Sequence, residues 1–101
     1  MKWGVRAAFI ILKNYIRRYK LDTIPAIVSR WAPNNENDTS NYVKRVVELS
    51  GFSSTYRFDW LNINDMIALF QAMCKVENGV EIDVSDIKKG YYLALGGDHR
   101  L

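Results

Sequence analysis

Apolar residues recur at spacings of three and four along most of this chain, the pattern of amphipathic helices rather than strands. From Trp3 to Tyr19, the residues Val5, Ala8, Leu12, Tyr15, Ile16 and Tyr19 fall on one side. Lys2, Arg6, Lys13, Arg17 and Lys20 gather within about 60° of one another on the opposite side, at ~100° per residue. A second, shorter helix is expected to start near Asp22 or Thr23, either of which can cap it, with Pro25 in its first turn. It should stop near Trp31, because Pro33 disfavours a helical Ala32. The stretch from Pro33 to Asp38 reads as a polar loop, and a third helix is expected from about Thr39 to Leu49, with Gly51 as its left-handed stop. Ser53 to Leu61 alternates weakly, but one short strand without a partner makes no sheet, so a structured loop is predicted. The fourth helix, about Asn64 to Glu77, carries Met66, Ile67, Leu69, Phe70, Met73, Cys74 and Val76 and is apolar on most sides, which places it at the centre. Asn78-Gly79 ends it, and a last helix is expected from Ser85 or Asp86 to about Leu95, interrupted in pattern by Gly90.

The predicted class is therefore all-α: about five helices around the central apolar fourth helix. With 101 residues there is room for one domain, read as residues 1–95 followed by a flexible tail over 96–101. An apolar share of 49% and a charged share of 25% are those of a folded domain and argue against disorder. The lone Cys74 excludes an intrachain disulfide and reads as a buried thiol. Phe9-Ile10-Ile11-Leu12 is too short and too closely followed by Lys13, Arg17, Arg18 and Lys20 to read as a signal peptide. No run approaches the ~20 apolar residues of a membrane span.

Six segments carry a resemblance. Arg30-Trp31-Ala32-Pro33, then Glu36-Asn37-Asp38-Thr39 and Tyr42-Val43, form the most specific block. Trp3-Gly4-Val5-Arg6-Ala7-Ala8 opens the first helix, Leu21-Asp22-Thr23-Ile24 the second, and Glu77-Asn78-Gly79 closes the fourth. In this order they resemble a family of phage and prophage virion structural proteins that are lysozyme-like and related to peptidoglycan-cleaving glucosaminidases. The resemblance implies a helical lobe of a lysozyme-like domain, carried in the virion and present in the bacterial cytoplasm when expressed from the genome. It implies peptidoglycan or another glycan, together with virion proteins, as partners. Family members usually carry an Asn-Asn-Pro-Gly-Asn motif some tens of residues upstream of the Trp-Gly-Val-Arg segment. This chain starts almost at that segment, so it is expected to bind rather than cut, and an uncovered apolar patch would make a homodimer.

Glycosidic cleavage needs a carboxylic acid to protonate the leaving oxygen, usually with a second carboxylate about 5–5.5 Å away for retention or ~6.5–9.5 Å for inversion. Glu36, in a loop flanked by Trp31 and Tyr42, is the candidate acid, although a carboxylate just before a helix also serves its positive end. Glu77 is the second candidate. It lies near a helix C-terminus, where a carboxylate is electrostatically unfavourable, so a salt bridge to a nearby Arg or Lys is the simpler expectation. Asn37, Asp38 and Thr39 can cap a helix, and in a glycan cleft they could also meet hydroxyl and acetamido groups. Trp31 or Tyr42 would then stack on a pyranose face, with Arg30 beside them. Glu48, Asp59, Asp65, Glu81, Asp83 and Asp86 read as surface or capping groups.

The single histidine, His99, lies in the predicted tail, so neither a histidine-based triad nor a metal site is expected, and no cofactor is implied. An active muramidase or glucosaminidase with Glu36 as acid remains the enzymatic alternative. A third reading starts from the net charge of +3: a basic helical interaction module that binds protein, or nucleic acid through Lys13, Arg17 and Lys20. Sequence-specific DNA recognition is not expected, since no helix-turn-helix turn or base-reading side chains can be picked out.

Overall fold

The computed structural model describes residues 2–31, 36–79 and 82–96, the side chains of Lys2, Trp3, Glu36 and Asn37 excepted. Those residues form five α-helices and no strand: α1 Lys2–Lys13, α2 Ile24–Trp31, α3 Glu36–Ser50, α4 Ile63–Asn78 and α5 Val84–Leu95. Asn14–Arg18 continue α1 as a single π turn.

That π turn changes which residues face the core. Val5, Phe9, Leu12 and Ile16 are buried, but Tyr19, expected on the same side, is 49% exposed. A π turn uses more residues than the ~3.6 of an α turn, so Tyr19 falls short of the face it would have rejoined. The helix then closes on Lys20, whose φ of 59° is left-handed, with the Leu21 N–H donating to Tyr15 O at 2.7 Å. A lysine takes the place glycine usually fills, at a cost of ~1 kcal/mol.

The other helix ends follow their local chemistry. Thr23 Oγ1 accepts from the Ala26 N–H at the start of α2. Asn62 accepts from the Asp65 N–H before α4, and Asp83 from the Ser85 N–H before α5. Gly51 and Gly79 take the left-handed φ that stops α3 and α4. Asp22, the other candidate cap for α2, does different work. Its Oδ2 accepts from Arg57 Nε and Nη2 at 3.1 and 3.0 Å, and its carbonyl accepts from the Phe58 N–H at 2.7 Å. This clamp, with Phe52, Tyr56 and Phe58 packed against one another, holds the structured loop expected over Ser53 to Leu61, which here runs over 51–62.

α4 contributes Met66, Ile67, Leu69, Phe70, Ala72 and Met73 to the core and packs against both α3 and α5. The most extensive helix–helix packing is that of α1 with α5. Gly90 is the reason. A methyl there would stand 2.3 Å from Val5 Cγ1 and 2.6 Å from Val5 Cβ, so the residue that weakened the helical pattern of α5 is what lets it approach α1. Phe9, Trp60, Phe70 and Tyr91 pack around this contact, with ring centroids 4.8 to 5.9 Å apart in edge-on and tilted arrangements. The Tyr91 hydroxyl donates to Trp60 O at 2.6 Å, whereas the buried Trp60 indole N–H has no hydrogen-bond partner among the described residues.

Candidate functional site

The most organised polar group on the surface lies where the end of α2, the first turns of α3 and the last turn of α4 meet. Trp31 closes α2, Tyr42 lies on α3, and Met73 and Glu77 are one turn apart on α4. The Trp31 indole N–H donates to Glu77 Oε2 at 2.6 Å. The Tyr42 hydroxyl stands 2.7 Å from the same oxygen and 3.4 Å from the Met73 carbonyl oxygen. Trp31 and Tyr42 are each half-buried against the core, while Glu77 is exposed. A carboxylate at a helix C-terminus meets the negative end of the helix dipole, and two donors aimed at one oxygen offset that penalty. Glu77 is held by an indole and a phenol, because the helix crossing brings these two rings over the last turn of α4.

Electrostatics keep the Tyr42 hydroxyl and the neighbouring Cys74 thiol protonated near neutral pH. Burial, reinforced by the hydrogen bond to Glu77 and its charge, pushes the Tyr42 hydroxyl far above its ordinary range, so it stays a neutral donor. Burial first and the Glu77 charge second push the Cys74 thiol up to about 11, so this half-buried cysteine is a poor nucleophile near neutral pH. Glu77 Oε2 thus accepts from two ring donors, one on α2 and one on α3.

The residues expected at the site separate into groups. Trp31 and Tyr42 come together on Glu77 Oε2. Arg30 turns the other way: its guanidinium lies 6.0 Å from the Tyr15 ring centroid and 5.6 Å from that of Tyr19. Thr39 and Asp38 lie in the first turns of α3 and are engaged in contacts there. Glu36 and Asn37 open that helix rather than a preceding loop, since α3 begins about one turn earlier than the sequence pattern suggests. Their side chains lie outside the described residues, as do Pro33 to Asn35, Glu81, His99 and the tail beyond Gly96. Glu77, ranked behind Glu36 on sequence, is the carboxylate the fold holds against the aromatics. The signal for it was a carboxylate at the wrong end of a helix.

Among the described residues no group of three or more His, Cys, Asp or Glu could hold a metal ion, and no helix is long and apolar enough to cross a membrane. Three of the acidic residues read as surface groups or caps find such roles: Asp59 accepts from the Leu61 N–H, Asp83 caps α5, and Asp65 accepts from the Tyr56 hydroxyl.

No family model matches the chain, and no solved structure matches it. Protein P5 of Pseudoalteromonas phage PM2 is 38% identical over 89 residues, which cover 87% of this chain and 54% of that protein. The chain therefore spans about half the length of the curated relative it matches. Identity at this level along nearly the whole chain makes the phage protein a homologue, and the phage relationship expected from the Arg30 to Tyr42 block is supported.

Proposed function

We propose that this phage-related domain is a virion component that engages peptidoglycan through the Trp31–Tyr42–Glu77 group and does not cut it in this form. The observation that carries the reading is the convergence of two half-buried aromatic side chains on one exposed carboxylate. Glycans present apolar ring faces bordered by hydroxyl groups. A site that pairs aromatic surface with a fixed acceptor suits both features at once. Arg30 lies outside this contact, whereas Asn37 and Thr39, at the start of α3, border it in the proposal.

Binding rather than cleavage is favoured by the hydrogen bonds. Two ring donors on Glu77 Oε2 hold its side chain in one place, an arrangement suited to gripping a ligand. The enzymatic alternative keeps Glu36 as its acid. Co-sedimentation with insoluble peptidoglycan, followed for released muropeptides, tests both. The chain should sediment without release, and Trp31→Ala or Glu77→Gln should weaken binding by about tenfold, an effect of ~1.4 kcal/mol. Release that disappears in Glu36→Gln would establish the hydrolase instead. Absence of sedimentation would end the wall-binding reading.

A further inference from the structure

Charge is divided unevenly along the chain. The first 31 residues hold seven Lys and Arg against one acid, Asp22, for a net charge of +6, and the remaining 70 carry a net −3. Asp22 is already clamped by Arg57. The fold then concentrates this excess. Arg17, Arg18, Tyr19 and Lys20 are all exposed at the end of the π turn, and Arg30 is exposed on α2 beside them. Arg18 lies 5.7 Å from the Tyr19 ring centroid and Arg30 5.6 Å from it, so one exposed ring carries guanidinium groups from two different helical segments. Tyr15 supports Arg30 from one turn earlier.

We infer that this corner, made by Arg17, Arg18, Tyr19, Lys20 and Arg30, is a docking surface for the phosphate backbone of nucleic acid, contacted without regard to sequence. Guanidinium groups held against rings lose less freedom when they bind, and their planar forks match phosphate oxygens. An anionic membrane would also meet the charge, but interfacial helices insert an apolar face into the lipid. Here Val5, Phe9, Leu12 and Ile16 are buried in the core. Among the described residues Ile11 is the one large aliphatic side chain exposed on α1, beside cations and Tyr19, which is too little apolar surface to anchor the helix in lipid. The corner differs from the Lys13, Arg17 and Lys20 stripe suggested by helical period, because the π turn and α2 bring Arg18 and Arg30 into it. It needs no base-reading helix, since phosphate contacts carry position and not sequence.

The test is fluorescence anisotropy with a labelled duplex of about 20 base pairs of arbitrary sequence, at low and moderate salt. Four cations meeting phosphates predict a log–log salt slope of about −3.6, which is about a hundredfold loss of affinity between roughly 50 and 200 mM salt. The double substitution Arg18→Gln, Arg30→Gln should lower the magnitude of that slope by about two and weaken low-salt binding at least ~10-fold. Lys88→Gln with Lys89→Gln, equally exposed cations on α5, should leave both values nearly unchanged, and thermal melts would confirm that all variants fold. Equal losses in the two double variants would reduce the effect to net charge and overturn the inference, as would absence of binding at low salt. Tighter binding to vesicles of equal parts phosphatidylglycerol and phosphatidylcholine than to the duplex would assign the corner to membrane and overturn it as well.

Discussion

Trp60 and Trp31 show how differently one residue type is used in two regions of this molecule. Trp60 is 1% exposed, wedged among Phe9, Tyr91 and the α1–α5 contact, and its indole N–H has no hydrogen-bond partner among the described residues. Trp31 stays half open at the end of α2 and gives its N–H to Glu77. In the core the ring is valuable for its area, and the lost hydrogen bond is outweighed by burial. At the α2–α3–α4 edge the ring contributes less area, and its donor positions a carboxylate. Tyr91 and Tyr42 repeat the contrast: one hydroxyl donates to the Trp60 carbonyl inside, while the other donates to an exposed carboxylate. Satisfied polar groups facing inward stabilise a fold, and the same groups at an open edge fix an exposed side chain.

Substitutions can break this distinction, the most disruptive being Trp60→Ala. It should cost about 3–5 kcal/mol in urea unfolding, the usual range for a fully buried large aromatic. If Trp31→Ala cost as much, the edge would be part of the core and the contrast would fail. Gly90→Ala comes next, with an expected loss of about 1–3 kcal/mol, because the new methyl forces α5 away from Val5. Its peptidoglycan binding should be unchanged once folding is corrected for, which separates the two regions. The smallest change in stability, about 1 kcal/mol, is expected for Trp31→Phe, which keeps an aromatic ring at the edge but loses the indole N–H bond and part of the ring area. It should nevertheless weaken peptidoglycan binding.

Cys74 provides a reporter of the same edge. With its thiol pushed up to about 11 from an ordinary 9.0, it carries about a hundredfold less thiolate near pH 8 than an unperturbed cysteine. Iodoacetamide should therefore label it slowly. Glu77→Gln, by removing a nearby negative charge, should lower the thiol pKa and speed the labelling. An unchanged rate would mean that burial alone governs Cys74 and that the carboxylate is not held where the hydrogen bonds place it.

Much of this was legible beforehand. The fourth helix was readable because its apolar residues cover most of its circumference, and its stop because Gly79 is one of few residues at ease in a left-handed conformation. The loop at 51–62 was readable by exclusion, although its clamp from Arg57 to Asp22 spans 35 positions and leaves no periodic trace. The exposure of Tyr19 was hidden because helical period assumes α geometry throughout, and a π turn breaks the count. Glu77 was visible as a carboxylate in an awkward place, but its partners lie 46 and 35 residues away.

Sequence by itself determined the helical class, the order of the elements and the aromatic residues near the site, because periodicity, caps and breakers act over a few residues. Only the tertiary structure decided which carboxylate those aromatics hold and which arginines share a ring. Those choices depend on how α2 crosses α3 and α4, and on how far one π turn rotates the chain before α2 begins. Both are set by packing between segments distant in sequence, which no local pattern encodes.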